Sequence, residues 1–245
     1  MIIISNISIS FDEKKILENI SFSVKEGENI AIIGQSGIGK SILLKSIIGL
    51  LVPDSGEILI DEQNINKISF RKLQNLRSKF GMVFQFGALF DSMTVGENIG
   101  LALQKLTNCD KLEISDKITV SLKEVNMEGT EGKMPSELSG GMKKRVGIAR
   151  AIALNPKYMF YDEPTTGLDP IMTDSINRLI NNFHEKGKVT SIVVTHEMKT
   201  VRDVSDRVIM LHNGKIQFNG STEDLLSSRD PIVSAFLNGD STYEG

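Results

Sequence analysis

A short glycine-rich run carries the most specific chemistry in this sequence. It matches the pattern G-x-x-x-x-G-K-[ST], directly follows the apolar residues 29–33 and opens a helical pattern. Glycines let the backbone turn sharply and point its N–H groups at an anion, and a helix amino terminus adds positive charge. We therefore expect a phosphate-binding loop for a nucleotide, in which Lys40 reaches the β- and γ-phosphates and the Ser41 hydroxyl binds Mg²⁺. The loop consists of Gly34, Gln35, Ser36, Gly37, Ile38, Gly39, Lys40 and Ser41.

Two neighbouring carboxylates follow another apolar run. Residues 158–161 suit a buried strand, and Asp162 and Glu163 come directly after it. In phosphate-loop enzymes the first acid at such a strand end holds Mg²⁺, and a second acid beside it can accept a proton from the attacking water. The alternative is a solvated turn, but the phosphate loop favours the catalytic interpretation. The sequence has no NKxD motif, which disfavours recognition of guanine.

A serine and two glycines precede an amphipathic helical pattern in the middle of the chain. Ser139, Gly140 and Gly141 stand before apolar positions at 146, 148, 149 and 152. Such a helix start can present its N–H groups to a second anion. From these residues alone, an ordinary cap before a core helix is an equally good interpretation.

The elements that must position these residues alternate along the chain. Residues 94–153 are largely helical in pattern, Asn213-Gly214 predicts a hairpin turn, and Ser221 with Asp224 predicts a helix near 222–228. This order predicts an α/β core with an inserted helical segment. A helix is predicted at residues 40–48, and strands at 2–9, 16–24, 29–33, 57–61, 81–86, 158–161, 189–195, 208–211 and 215–218.

The composition limits the class of protein. The chain has 245 residues, of which 40% are hydrophobic and 24% charged, and its net charge is −3. This balance argues against a protein that mainly coats nucleic acid, and no apolar run approaches the roughly 20 residues needed to cross a bilayer. A single cysteine, Cys109, cannot form an intrachain disulfide, which favours a reducing compartment. A membrane channel, a secreted disulfide scaffold and a filament are therefore disfavoured.

Taken in order, the motifs resemble those of the nucleotide-binding subunits of ATP-binding cassette (ABC) transporters. The resemblance rests on GQSGIGKS, Gln85, LSGGM, YMFYDEP, GLD at residues 167–169 and His196, and it covers nearly the whole chain. It implies the α/β fold of a phosphate-loop NTPase with an antiparallel β subdomain and an inserted α-helical subdomain. The division it implies is a core of residues 1–86 and 154–220, a helical subdomain of about 87–153 and a carboxyl-terminal segment of 221–245.

The resemblance implies that ATP binds between two copies of the chain. In such a homodimer the phosphate loop of one copy would face Ser139, Gly140 and Gly141 of the other, which gives each chain two anion sites. Asp169 would link the two ATP sites. Phe11 would stack on the adenine, although a core position for this phenylalanine stays open.

Hydrolytic roles are also implied by the resemblance. Glu163 would be the general base, His196 would contact the γ-phosphate, and Lys40 would stabilise the transferred phosphoryl group. A Mg²⁺ ion would accompany ATP as cofactor. The residues expected to serve that ion are Ser41, Gln85 and Asp162.

Short stretches are similar to one branch of the family. The phosphate loop reads SGIGKS, the LSGGM signature (residues 138–142) ends in Met142, and residues 230–239 read DPIVSAFLNG. These resemble the ATPases of Mla-type (MCE-associated) phospholipid transporters, so the implied function is ATP hydrolysis coupled to phospholipid transport. The implied partners are separate permease subunits, an MCE-domain lipid-binding protein and a small accessory subunit, with no nucleic acid. The implied location is peripheral, on the cytoplasmic face of the inner (plasma) membrane.

Two other functions stay open at this point. The ATPase of an amino-acid-type importer of small solutes shares every catalytic motif, and only Met142 and the carboxyl-terminal stretch argue against it. A non-transport cassette ATPase acting on DNA or ribosomes is further away, because residues 42–137 contain no sustained heptad pattern for a long coiled coil.

Two surface segments have a role that the sequence leaves open. Phe86, Leu89 and Phe90 either contact a permease or pack inside the helical subdomain. The helix after the signature carries four basic residues, and the weak net charge favours a solvated face over a nucleic-acid site. These residues are Lys143, Lys144, Arg145 and Arg150.

Overall fold

Two β-sheets carry the fold in the computed structural model, which describes residues 1–12, 14–187 and 189–240. One sheet is antiparallel and the other is mostly parallel. The strands are β1 (Ile2–Phe11), β2 (Lys14–Val24), β3 (Asn29–Ile33), β4 (Ser55–Ile60), β5 (Gln63–Asn64), β6 (Phe80–Val83), β7 (Tyr158–Asp162), β8 (Thr190–Val194), β9 (Arg207–His212) and β10 (Lys215–Ser221).

Helices connect the strands and cover the larger sheet. Their starts are often visible in the sequence, as in the reciprocal capping boxes of Thr94 with Glu97 and of Asp110 with Glu113. A 3₁₀ turn spans Pro135–Glu137. The helices are α1 (Lys40–Ile47), α2 (Phe70–Arg77), α3 (Val95–Leu106), α4 (Lys111–Glu124), α5 (Gly140–Ile152), α6 (Pro170–Gly187), α7 (Met198–Val204), α8 (Thr222–Leu226) and α9 (Pro231–Asn238).

The larger sheet brings distant parts of the chain side by side. Its strand order is β10-β9-β3-β8-β7-β6, and all neighbours are parallel except β10 and β9. Because β3, β7 and β8 are buried on both faces, their sequences are mostly apolar and do not alternate with polar residues. The carboxyl ends of β3, β6, β7 and β8 therefore meet along one edge of the sheet.

Alternate residues of these strands enter different cores. Ile30, Ile32 and Phe160 pack with α1 and the antiparallel sheet, whose strand order is β2-β1-β4-β5. Met159 and Tyr161 point to the other face and pack with residues of α3, α4, α5 and α6. Successive side chains of a strand point to opposite faces of the sheet. The small sheet therefore packs on one face of the large sheet, and the helices pack on the other.

The predicted α/β order with a helical insertion is confirmed. Helices α3, α4 and α5 all lie between β6 and β7 in the chain. The predicted hairpin at Asn213-Gly214 is also present, with positive φ values of 45° and 72° that match the mirror-image turn joining twisted strands. None of the helices in the described ranges is long and apolar enough to cross a bilayer.

Two local predictions are wrong. The strand predicted at 81–86 ends at Val83, because the N–H of Gly87 donates to the Phe84 carbonyl and turns the chain. The predicted solvated basic face on α5 is wrong for three of its four residues. Lys144 is buried, and Arg145 and Arg150 donate hydrogen bonds to backbone carbonyls of Val125, Gly87 and Ala88.

Candidate nucleotide site

Functional side chains from four parallel strands meet at one edge of the sheet. The glycine-rich loop follows β3, Asp162 ends β7, and Gln85 and His196 each stand two residues beyond the end of a strand, β6 and β8 respectively. Ligand sites of open α/β sheets lie at this edge because the connecting loops there leave a crevice. A cleft of about 210 Å³ is lined by Ser36, Gly37, Gly39, Lys40, Ser41, Ile42, Gln85, Glu163 and His196.

Two glycines of the loop are required by close contacts as well as by backbone angles. Gly34 has φ of 145°, and a Cβ atom there would lie 2.6 Å from the carbonyl oxygen of Leu211. Gly39 has φ of 106°, and a Cβ atom there would lie 2.9 Å from a methyl carbon of Ile16. Any side chain at either position would displace its neighbour, so the loop shape depends on glycine.

The Lys40 side chain folds back against the backbone of the glycine-rich loop. Its Nζ donates hydrogen bonds to the carbonyl oxygens of Gly34, at 2.8 Å, and Gln35, at 2.9 Å, and lies 3.9 Å from Oε1 of Glu163. Burial lowers the pKa of Lys40, and the nearby carboxylates of Glu163 and Asp162 oppose that change. The side chain is therefore a buried cation at the point where the loop would hold phosphate.

Ser41 and Asp162 form the oxygen-rich side of the cleft. The Ser41 hydroxyl donates to Oδ1 of Asp162 at 2.7 Å, and the Gln85 side chain lines the same cleft. Burial raises the pKa of Asp162, while the Ser41 hydrogen bond acts in the opposite direction. Hydroxyl, carboxylate and amide oxygens are hard ligands of the kind Mg²⁺ takes together with phosphate and water, so these residues fit that ion.

Glu163 is buried, and two side chains contact its carboxylate. It is only 8% exposed, and its φ of 50° lies in the left-handed region, which costs a non-glycine residue on the order of 1–3 kcal/mol. Nδ1 of His196 lies 3.0 Å from Oε1, and the Thr166 hydroxyl donates to Oε2 at 2.9 Å. The carboxylate therefore faces Lys40 and the cleft in a fixed orientation.

Other predicted site residues lie away from this cleft in the described part of the chain. Ser139 caps α5 by accepting the N–H of Met142 at 3.3 Å, and Ser139 and Gly140 are exposed. Asp169 is also exposed, and its carboxylate accepts the N–H groups of Ile171 and Met172 at the start of α6. Phe11 lies at the end of β1, 44% exposed. One copy of the chain thus brings the loop, the acids and the histidine together, but not the signature residues.

Two residues contact Glu163 that the sequence motifs do not assign to this site. Thr166 holds its carboxylate, and Nζ of Lys144 donates to its carbonyl oxygen at 3.3 Å. A signal for Lys144 does exist in the sequence. It stands three residues after Gly141 and four before Ile148, both buried, so the helical period puts all three on one face.

Comparisons with known proteins point to one family. The family model described as ABC transporter matches residues 17–166. The intermembrane phospholipid transport ATP-binding protein MlaF of Haemophilus influenzae is 40% identical over 98% of this chain and 91% of its own length. The methionine import ATP-binding protein MetN of Carboxydothermus hydrogenoformans is 41% identical over 97% of this chain and 72% of its own length.

A solved structure has the same fold. The dimeric ATP-binding cassette MJ0796, in a post-hydrolysis state bound to ADP and Pi, superposes with a TM-score of 0.84 at 32% identity, covering 91% of this chain and 99% of that one. The family match extends from β2 through the glycine-rich loop to the two acids at the end of β7. The chain therefore belongs to the ABC transporter family, as an ATP-binding subunit that hydrolyses ATP.

Proposed function

We propose that this chain drives phospholipid transport by hydrolysing ATP beneath a separate membrane permease. The observation that carries the substrate class is the similarity to MlaF, at 40% identity over 98% of this chain. The Met142 side chain packs with the helical core rather than lining the cleft, so this unusual residue is compatible with ATP hydrolysis.

Within the cleft, the chain's residues divide the work of hydrolysis. Glu163 accepts a proton from the attacking water, whose oxygen bonds to the γ-phosphorus as the bond to the β–γ bridging oxygen breaks and ADP leaves. Lys40 and the loop N–H groups stabilise the charge on the transferred group. His196, half exposed beside Glu163, faces the γ-phosphate position. Ser41, Asp162 and Gln85 hold Mg²⁺, which neutralises phosphate charge when bound.

A second copy completes the site. Ser139 and Gly140 are exposed at the start of α5, where a helix amino terminus favours an anion, yet they do not line this copy's own cleft. A homodimer that places them over the partner's ATP would use them. In that arrangement Asp169, exposed at the start of α6, lies between the sites, and exposed Phe11 stacks on adenine.

The permease contact follows Gln85 directly. Phe86 is 80% exposed and Phe90 is 52% exposed, whereas Leu89 packs against the helical core. Exposed phenylalanines beside a ligand-lining glutamine suit a partner surface that responds to the nucleotide. In the proposed assembly this chain lies on the cytoplasmic face of the inner membrane. An MCE-domain lipid-binding protein and a small accessory subunit complete the transporter.

A small-solute importer is the second candidate. The similarity to MetN, at 41% identity over 97% of this chain, favours it specifically. The same cleft would serve either cargo, because the cargo crosses the membrane through the permease and never contacts this chain. The permease therefore decides between the two functions.

Co-purification tests the proposal. The tagged chain, as Glu163→Gln with ATP and Mg²⁺ present, is isolated from membranes in mild detergent, and bound proteins and lipids are identified by mass spectrometry. Lys40→Ala under the same conditions is the matched control for nucleotide-dependent capture. A permease with an MCE-domain protein and enriched phospholipid supports lipid transport. A permease with a solute-binding protein and no enriched lipid contradicts it.

A further inference from the structure

A buried lysine on the signature helix contacts the turn that follows the catalytic acids. Lys144 is 5% exposed, and its Nζ donates to the carbonyl oxygens of Glu163, at 3.3 Å, and Thr166, at 2.6 Å. Buried ammonium groups are costly unless they are paired, and burial lowers the pKa of this one despite the nearby Glu197 and Glu163 carboxylates. Both hydrogen bonds end on backbone, so the lysine acts on the path of the main chain.

That main chain is strained where the lysine holds it. The backbone of Glu163 has a φ of 50°, and such a conformation persists when its surroundings fix it from several sides. On one side the N–H of Glu163 donates to the Val194 carbonyl of β8 at 2.9 Å. On the other side the Glu163 carbonyl accepts from Lys144. The two contacts together set the direction in which the carboxylate leaves the backbone.

The helix that carries Lys144 begins at the signature. Ser139 caps α5, and Lys144 lies five residues further along the same helix. A displacement of the exposed start of α5 would therefore move an ammonium group that is hydrogen-bonded to the Glu163 and Thr166 carbonyls. The signature helix and the general base are thus joined within one chain by a single side chain.

We infer that Lys144 is a positioning residue for hydrolysis, which aims the Glu163 carboxylate by holding the carbonyls at 163 and 166 against the signature helix. It contacts neither the cleft nor the nucleotide position. The inference rests on the proposed role of Glu163 as general base. It assigns the lysine to the chemical step and not to ATP binding.

The test compares two substitutions of nearly equal length in the full chain. Lys144→Met removes the donor, whereas Lys144→Gln keeps an N–H donor near the two carbonyls. We expect Lys144→Met to lower kcat for ATP hydrolysis by about 10-fold while KM stays within about threefold, because misplacing a base affects the transition state more than binding. The kcat of Lys144→Gln should be at least about threefold higher than that of Lys144→Met. Lys143→Met, on the partly exposed neighbour, is the matched control.

A double-mutant comparison separates positioning from general structure. In the Glu163→Gln background, Lys144→Met should lower the residual rate by less than about twofold, because the group that it positions is already gone. A full 10-fold loss in that background, or a wild-type kcat in folded Lys144→Met, would overturn the inference. Equal rates for the folded Met and Gln variants would overturn it as well.

Should Lys144→Met fail to fold, Lys144→Ala takes its place with the same expectations, since the smaller side chain leaves room for water at the carbonyls. If Glu163→Gln itself hydrolyses ATP at the wild-type rate, the base assignment fails instead.

Discussion

Nδ1 of His196 lies 3.0 Å from Oε1 of Glu163, although 33 residues separate the two in the chain. The contact exists because β7 and β8 are neighbours in the sheet and each residue stands just beyond the end of its strand. The histidine is half exposed toward the cleft, and the carboxylate beneath it is buried. A ligand that displaced the histidine ring would therefore also alter the surroundings of the proposed general base.

Replacing Glu163 by Gln should separate ATP binding from hydrolysis. The amide keeps the size of the side chain but cannot accept the proton, so kcat should fall by about 100-fold or more. ATP should still bind, and the variant should elute as a dimer with ATP and Mg²⁺ in size-exclusion chromatography. Glu185→Gln, on the exposed side of α6, is the control. Wild-type turnover by Glu163→Gln would remove this residue from the role of base.

Lys40→Ala should weaken both binding and turnover. It removes a buried cation whose charge-assisted hydrogen bonds are each worth about 1.5–3 kcal/mol, so the Kd for ATP should rise at least about 10-fold. Equilibrium titration with a fluorescent ATP analogue measures the change. Lys45→Ala, exposed on the same helix, should change the Kd by less than about twofold. Full activity in Lys40→Ala would be incompatible with a phosphate-binding loop at this position.

Phe11→Ala tests the proposed adenine platform. Stacking of a base on an aromatic ring contributes about 1–3 kcal/mol, so ATP affinity should fall by about 5- to 150-fold while Phe11→Tyr stays near wild type. Tripolyphosphate, which has no base, should bind Phe11→Ala as well as it binds the wild type. Phe70→Ala controls for loss of an exposed phenylalanine elsewhere. An unchanged affinity for ATP would show that Phe11 does not touch the base.

Arg150→Met should loosen the segment that follows Gln85. The guanidinium donates to the carbonyl oxygens of Gly87, at 2.8 Å, and Ala88, at 2.6 Å, and both residues have positive φ. Losing these bonds should cost about 1–3 kcal/mol in the free energy of unfolding and speed amide hydrogen exchange at residues 86–90. Arg178→Met, in an exposed ion pair on α6, should do neither. Unchanged exchange at residues 86–90 would contradict an anchoring role.

Asp61 should make stability depend on pH in the acidic range. Partial burial alone would raise its pKa, but hydrogen bonds from Tyr158 and Lys157 lower the pKa from 3.8 to about 2. A carboxyl whose folded pKa is depressed stabilises the fold above its unfolded pKa, and this contribution disappears as the pH falls from about 4 to about 2.

The comparison of Asp61→Asn with wild type isolates that contribution. In urea unfolding at pH 7 the variant should be less stable by about 1 kcal/mol, after allowance for solvent screening of a partly exposed group. The difference should shrink steadily below pH 4. Glu62→Gln, its exposed neighbour, should show no such trend. A difference that stays constant down to pH 2 would mean that the charge of Asp61 does not contribute.

Much of the site was predictable because its residue types are dictated locally. The glycine-rich loop needs glycine for its backbone, and the acids stand at the end of an apolar strand. A few neighbouring residues are therefore enough to recognise each motif and its secondary structure. The helix start at Ser139 and the capping box at Ser221 are visible for the same reason. The prediction of a solvated basic face on α5 is wrong because four charges on one helix resemble such a face. Three of these side chains instead donate hydrogen bonds to backbone carbonyls within the fold.

The sequence by itself determined the glycine-rich loop, the two acids at a strand end, the α/β order with a helical insertion, and the family. Only the tertiary structure decided that His196 and Thr166 hold the Glu163 carboxylate, and that the cation of Lys144 faces the backbone at 163 and 166. The physical reason is the range of the interactions. Turn geometry, capping and strand burial act over a few neighbouring residues and leave a pattern in the sequence. The partner of a buried ammonium or imidazole group is set by which strands and helices pack side by side, and these are distant in the chain.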